Sequence, residues 1–252
     1  MKVAESRNWQ QQCVAVIPCL NEQEAIGDVV ARVRHFLPAV VVVDDGSADR
    51  TGQIAKVAGA TVLRHETTAG KGAALRTGWQ HARGKGAAWS LNLDGDGQHS
   101  PDDIPQFLEC ADRTAAALVA GNRMTNTTGM PWLRRQVNVW MSRRLSILAG
   151  HSMPDTQCGF RLMNLASWSE LHPAANHFEI ESEIMLAFAR AGHRVEFVPV
   201  RTIYKHEQSK ILPLKDTVRW FKWWMKARRQ LQSGLVGRGL PRLEENSRAE
   251  IK

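Results

Sequence analysis

No apolar run in this chain approaches the ~20 residues that a membrane-spanning helix needs, so any membrane contact is expected to be peripheral. The opening stretch, Met1 to Gln12, is polar and lacks the apolar centre of a secretion signal. Cysteine is sparse: Cys13, Cys19, Cys110 and Cys158 stand far apart without metal-ligand spacing. They read as free thiols in a reducing cytoplasm rather than as a disulfide frame. There is no internal repeat and no low-complexity linker. Two familiar phosphate-binding loops are also missing. Lys71 is followed by Gly72 rather than Ser or Thr, and position 65 is His, which excludes a Walker A loop. Leu75 stands where a dinucleotide fingerprint would have its third glycine.

What remains is an ordinary globular composition, 43% hydrophobic and 23% charged over 252 residues, enough for one large core. The formal net charge of +8 is unevenly spread. Residues 201–252 hold thirteen Lys/Arg against five Asp/Glu, so the first 200 residues, with twenty of each, are neutral. A basic end on a neutral body points to an anionic partner, nucleic acid or membrane.

Strand and helix patterns alternate through the first half. Strands are expected at Val14–Pro18, Ala39–Val43, Thr61–Leu63, Ala87–Leu93 and Ala116–Ala120, and helices near Glu22–Phe36, Thr51–Ala58, Gly72–Ala82 and Pro101–Ala111. Asn21 is expected to cap the first helix, with Glu24 completing a capping box. This alternation predicts an α/β fold, a mostly parallel sheet with helices on both faces. Ligands of such sheets bind beyond the carboxyl ends of the strands, where this sequence puts its acids.

Asp94 and Asp96 flank Gly95 after an apolar strand, and residues two apart on extended chain point to one side. Two such carboxylates repel unless a cation lies between them. With the neutral oxygen of Gln98 they suit Mg²⁺ or Mn²⁺, phosphate oxygens filling the remaining positions; alternatively the pair is a solvated turn. Asp44 and Asp45 can accept from ribose hydroxyls or a base N–H; alternatively Ser47 or Asp45 caps a helix. Gly70-Lys71-Gly72 opens a helix whose N–H groups, with Lys71, could meet a phosphate or base.

Pro18-Cys19-Leu20-Asn21-Glu22, Val42-Val43-Asp44-Asp45-Gly46-Ser47, Gly70-Lys71-Gly72 through Gly78, and Asp94-Gly95-Asp96-Gly97-Gln98-His99 occur in this order at strand ends. Gly121-Asn122-Arg123, Asp155 through Arg161, Phe178 through Glu183, and Tyr204–Ile211 follow. As an ordered set over residues 12 to 215 they resemble the inverting family 2 glycosyltransferases of the A-type fold, in their dolichyl/polyprenyl-phosphate mannosyl- and glucosyltransferase branch. The resemblance implies that Pro18, Glu22 and Asp45 hold base and ribose, with Asp44 and Lys71 close by. It also implies that Asp94, Asp96 and Gln98 hold metal and diphosphate, that Arg123, Arg135, Arg161, Ser209 and Lys210 handle donor and acceptor phosphates, and that Glu181 sits near sugar and acceptor. Leu20 replaces the aromatic ring many relatives place against the base, which leaves the nucleotide open.

The implied reaction moves a hexose, with inversion, from a nucleotide diphosphate sugar of the GDP-mannose or UDP-glucose type to a lipid phosphate. Metal and arginines would stabilise the departing diphosphate, and an ionised phosphate acceptor needs no strong base. A hydroxyl acceptor would, and Glu181 is then the candidate; otherwise Glu179, Glu181 and Glu183 are acids at a helix start.

Two stretches look interfacial: Trp132–Leu148, mixing aromatics with arginines, and Thr217–Leu231. In the latter, Arg219, Lys222, Lys226 and Arg229 share one helical arc, and Trp220, Trp223, Trp224, Ala227 and Leu231 another. The expectation is a peripheral enzyme on the cytoplasmic face of a membrane, touching it through Trp220, Trp223 and Trp224 or docking on a separate membrane-anchored partner. The domain reading is an N-terminal extension at 1–11, a catalytic domain at 12–215, the amphipathic helix at 216–233 and a flexible polar tail at 234–252. The processive-synthase motif Gln-x-x-Arg-Trp is absent, Gln136-Val137-Asn138-Val139-Trp140 being the nearest string. A nucleic-acid binder using the basic tail leaves the paired acids unexplained, and no nucleic-acid partner is expected. Intact Asp94, Asp96 and Arg161 argue against a catalytically dead, membrane-binding relative.

Overall fold

The structure is a computed structural model that describes residues 7–203 and 213–232, the side chains of 213–216 excepted. Ser209, Lys210 and the expected polar tail lie outside the described residues. Seven strands form one sheet in the order β3-β2-β1-β4-β6-β5-β7. They are β1 (Cys13–Cys19), β2 (Val40–Asp44), β3 (Thr61–Arg64), β4 (Trp89–Asn92), β5 (Leu118–Asn122), β6 (Arg161–Asn164) and β7 (Val195–Pro199). The helices are α1 (Trp9–Gln12), α2 (Ile26–Arg34), α3 (Thr51–Val57), α4 (Lys71–Gly84), α5 (Ile104–Thr114), α6 (Trp132–Ala149), α7 (Leu165–Leu171), α8 (Glu179–Arg190) and α9 (Pro213–Gln232). Short 3₁₀ turns at Pro101–Asp103 and Arg123–Thr125 lead into α5 and out of β5.

The central strands are apolar at successive positions because both faces of the sheet are covered. Ala15, Ile17, Val40 and Val42 point into a core made with Ile26, Val29 and Val33 of α2, Ala55 of α3 and Ile104 and Phe107 of α5. Val16, Val41 and Val43 face the other core, with Leu75 and Trp79 of α4, Leu145 of α6, Trp168 of α7 and Ile184 and Phe188 of α8. A Cβ on Gly78 would stand 2.3 Å from Val16 Cγ1, so its lack of a side chain lets α4 press on the sheet.

Two features of topology position the site. After β1 the chain runs outward to β2 and β3, and after β4 it builds the other half, so the loops leaving β1 and β4 part at a crevice. Strand β6 is antiparallel to both β4 and β5, with Arg161 opposite Asn92 and Ala120. Its first residue therefore lies at the carboxyl edge of its neighbours and brings segment 155–160 beside the ends of β4 and β5. The alternating pattern did not predict this reversed strand.

Two local expectations are corrected. Asn21 does not cap α2, whose N-cap is Ala25. It takes φ 53° and its Oδ1 accepts from Ala48 N, pinning the β1 loop to the β2 loop instead. Residues 7–12 pack on the domain: Trp9 Nε1 donates to Asp112 Oδ2 at 2.8 Å and its ring meets Trp89 edge-on. The tryptophan arc of α9 faces the protein. Trp220 and Trp224 are 2% and 7% exposed against Met141 and Val137 of α6, and Trp220 Nε1 donates to Ser182 Oγ at 2.8 Å. Trp223 packs there too. Trp220 and Trp224, buried against protein, have no area left for lipid, so the expected membrane contact does not hold for those two, while Trp223 is half-buried.

Candidate active site

A cleft of about 300 Å³ opens at the carboxyl ends of β1, β2 and β4. Pro18, Glu22, Asp45, Lys71, Asp94, Asp96, Gln98, Arg123 and Glu181, expected on different loops, all line it. Asp44, Arg135 and Arg161 do not. Residues given no role from sequence also line the cleft, among them His99, Arg134, Gln157, His177, Phe178 and Thr202.

Asp45 reaches the cleft from the end of β2 and braces its far wall. Its carboxylate accepts from Ala69 N at 2.9 Å and Gly70 N at 2.8 Å, and its Oδ1 lies 2.6 Å from His65 Nδ1. Asp44, by contrast, is fully buried: Oδ1 accepts from Ser47 N at 2.8 Å and Oδ2 pairs with Arg64. It holds the Asp44–Ser47 turn rather than a ligand. The N–H groups at the start of α4 are likewise occupied, since Gly72 N and Ala73 N donate to Asn176 O at 2.8 and 3.2 Å. That corrects the expectation that this helix start offers its backbone to phosphate, and leaves the Lys71 side chain for that task.

Lys71 Nζ sits 2.6 Å from Asp94 Oδ1 and 2.6 Å from Glu181 Oε1, with His99 Nε2 3.5 Å from Asp94 Oδ2. Burial alone would raise the Asp94 pKa, but Lys71 and His99 outweigh it and hold the carboxyl well below the usual range. Burial would lower the Lys71 pKa, yet Asp94 and Glu181 hold it above its ordinary value. Asp96 moves the other way, pushed up by burial and by the charge of Asp94 beside it. A divalent cation would relieve that repulsion. Among the described residues no group of three or more His, Cys, Asp or Glu forms a complete metal cage. Two carboxylates with the remaining positions left to phosphate oxygens is the way Mg²⁺ is commonly bound, so Asp94 and Asp96, with Gln98 beside them, fit an Mg²⁺ or Mn²⁺ ion.

The profile of the family described as Glycosyl transferase family 2 matches residues 14–171, more than half the chain. The chain belongs to glycosyltransferase family 2. The transferase is 28% identical, over 75% of its length and 84% of the relative's, to a UDP-N-acetylglucosamine–dolichyl-phosphate N-acetylglucosaminyltransferase of Methanococcus voltae. It is 30% identical, over 60% of its length and 61% of the relative's, to a polyprenol monophosphomannose synthase of Mycolicibacterium smegmatis. Glucosyl-3-phosphoglycerate synthase of Mycobacterium tuberculosis, solved with Mn²⁺, UDP-glucose and phosphoglyceric acid, shares the fold with a TM-score of 0.67 at 20% identity, over 88% of this chain and 80% of that one.

The transferase's arginines are locked in place. Arg123 Nε and an Nη donate to the two oxygens of Asp155 at 2.7 and 2.9 Å, and Arg123 N adds a third bond at 3.1 Å. Although burial pushes the Asp155 pKa up, Arg123 overrides it and holds the carboxyl low. Arg161, 3% exposed, donates to three backbone carbonyls, those of Cys158, Thr156 and Glu181. Buried and bonded to three carbonyls, it fixes the 155–161 turn to α8 and does not line the cleft. Arg135 is exposed outside the cleft, and its neighbour Arg134 lines the wall instead.

Proposed function

We propose that this glycosyltransferase moves a hexose, with inversion, from a nucleotide diphosphate sugar to a polyprenyl- or dolichyl-phosphate at the cytoplasmic surface of a membrane. The observation that carries the reading is one cleft lined together by Pro18, Glu22 and Asp45, by Asp94 and Asp96, and by the cations Arg123 and Arg134. Base and ribose would lie by Pro18, Glu22 and Asp45. A cation held by Asp94 and Asp96 would supply positive charge to the diphosphate as it departs. Lys71 would add its ammonium to the same oxygens, and Arg134 would steer the acceptor phosphate. The lipid acceptors named for the relatives support this choice. Glu181 lines the cleft beside Lys71 and is the candidate base should the acceptor be a hydroxyl.

The reading also needs a route to lipid. With Trp220 and Trp224 of α9 buried, the outward face of α6 would supply it: Trp132, Leu133 and Ile147 are 71%, 60% and 73% exposed. Trp140 on that face stacks against exposed Phe221 of α9, joining the two helices in one surface. Helix α6 contains four arginines and no acid, so this surface complements an anionic bilayer, and it runs to Arg134 at the cleft wall. Residues 12–215 with the packed α9 would form one catalytic unit.

The test is transfer from a panel of labelled GDP- and UDP-sugars to polyprenyl phosphate and polyprenol in vesicles. A lipid-phosphate glycoside formed only with divalent metal supports the reading. Product on polyprenol alone favours the Glu181-assisted alternative, and no product on either lipid counts against a lipid acceptor.

A further inference from the structure

The site reverses its own charge logic at one point: a lysine already sits where a metal-binding carboxylate should be bare. Lys71 opens α4, while its ammonium joins Asp94, after β4, to Glu181, in the first turn of α8, at 2.6 Å each. The ring of Phe178 backs it at 5.5 Å. The fit is close, since a Cβ on Gly159 would lie 3.0 Å from Lys71 Nζ and 2.8 Å from Asp94 Oδ2. The arginines nearby are no substitute, Arg123 being held by Asp155 and Arg161 by backbone carbonyls.

We propose that Lys71 is a placeholder for the divalent cation, releasing Asp94 only when a nucleotide diphosphate offers its ammonium new oxygens, so that metal and nucleotide bind as one coupled event. The inference rests on the nucleotide-diphosphate reading above. A divalent ion arriving alone meets a carboxylate already neutralised, and it must approach a fixed positive charge packed against the same oxygen. A diphosphate arriving alone meets Asp94, Asp96 and Glu181, three acids against one lysine. Arriving together, phosphate oxygens take up Lys71 and leave Asp94 and Asp96 to the metal. Coupling of this kind is reciprocal: whatever factor nucleotide adds to metal affinity, metal adds to nucleotide affinity. Without nucleotide, Asp94 thus keeps Lys71 as its counter-charge, and the cleft holds free metal poorly.

Mn²⁺ binding, read from the loss of the free-ion electron paramagnetic resonance signal, tests this in wild type, Lys71→Met and Lys71→Arg, each without and with UDP or GDP. Circular dichroism checks folding, and Lys71→Gln replaces Lys71→Met if the latter fails to fold. The expected result is nucleotide-free Mn²⁺ affinity at least about tenfold tighter in Lys71→Met, within the usual range of coupling factors, and close to wild type in Lys71→Arg. The gain from adding nucleotide should shrink in Lys71→Met. Nucleotide-free affinity in folded Lys71→Met equal to or weaker than wild type would overturn the placeholder while leaving the function intact. Wild type that takes up no Mn²⁺ even with both nucleotides would overturn the function reading, and the placeholder with it.

Discussion

Two charged groups in and behind this cleft are held in contrasting ways. Asp94 is paired with Lys71, a long side chain on a separate helix, while Asp96 is left against the charge of Asp94. Arg123 and Arg161 are fixed by a buried bidentate pair and by backbone carbonyls. The difference separates an ion pair that a ligand could replace from groups that brace the 155–161 turn. Substitutions should therefore divide into those that cost stability and those that cost binding.

The largest stability loss should follow from breaking the Arg123–Asp155 pair. Removing one partner of a buried pair costs about 3–5 kcal/mol, so Asp155→Asn should show a urea midpoint far below wild type. If it unfolds within 1 kcal/mol of wild type by the same about 3–5 kcal/mol scale, the locked-wall account is wrong. Trp220→Ala should cost a similar about 3–5 kcal/mol, the usual range for a buried Trp, because its ring is enclosed and its N–H bonded to Ser182. A stable Trp220→Ala that lost vesicle binding instead would return α9 to the membrane.

A smaller effect sharpens the acidic side. Gly159→Ala would put a methyl 2.8 Å from Asp94 Oδ2, and should weaken Mn²⁺-dependent nucleotide binding more than it lowers the melting temperature. The pH dependence tests the same division. The Asp155 pKa is depressed on folding, so its stabilisation is whole above its unfolded value of about 3.9 and is lost as pH falls through the folded value. Wild type should therefore lose stability on acidification below about pH 4 more steeply than Asp155→Asn. The smallest stability effect belongs to Trp132→Ser, on an exposed face, where about ±0.5 kcal/mol is usual; its consequence should be weaker sedimentation with anionic vesicles, and unchanged sedimentation would remove α6 from the proposed surface.

The nucleotide half of the molecule was legible because its information is local. Five strands follow from apolar runs ending in turn or polar residues, and the sheet brings the acids after β2 (Asp44-Asp45) and β4 (Asp94, Asp96) to the same edge. The second half depends on partners that sequence does not name. An arginine before a strand looks the same whether it meets a phosphate or, as Arg161 does, three carbonyls. A tryptophan arc with a basic arc opposite suits lipid and protein equally, and burial against α6 and α8 decided it for Trp220 and Trp224. Asn21 and Glu24 had the spacing of a capping box, yet the pairing of Asn21 with the loop after β2 won over the local pattern. His99 stood in plain view within the quoted motif, and its neighbourhood with the paired acids was the signal that could have singled it out.

The account's central claim is that Asp94 and Asp96 bind a cation–diphosphate unit rather than form a solvated turn. Calorimetric titration of GDP and UDP, each with and without Mn²⁺, into wild type and Asp96→Asn tests it most directly. The account predicts tight, Mn²⁺-dependent binding of one nucleotide that disappears in an Asp96→Asn protein melting no lower than wild type. Equal binding by both proteins, with or without Mn²⁺, would contradict it.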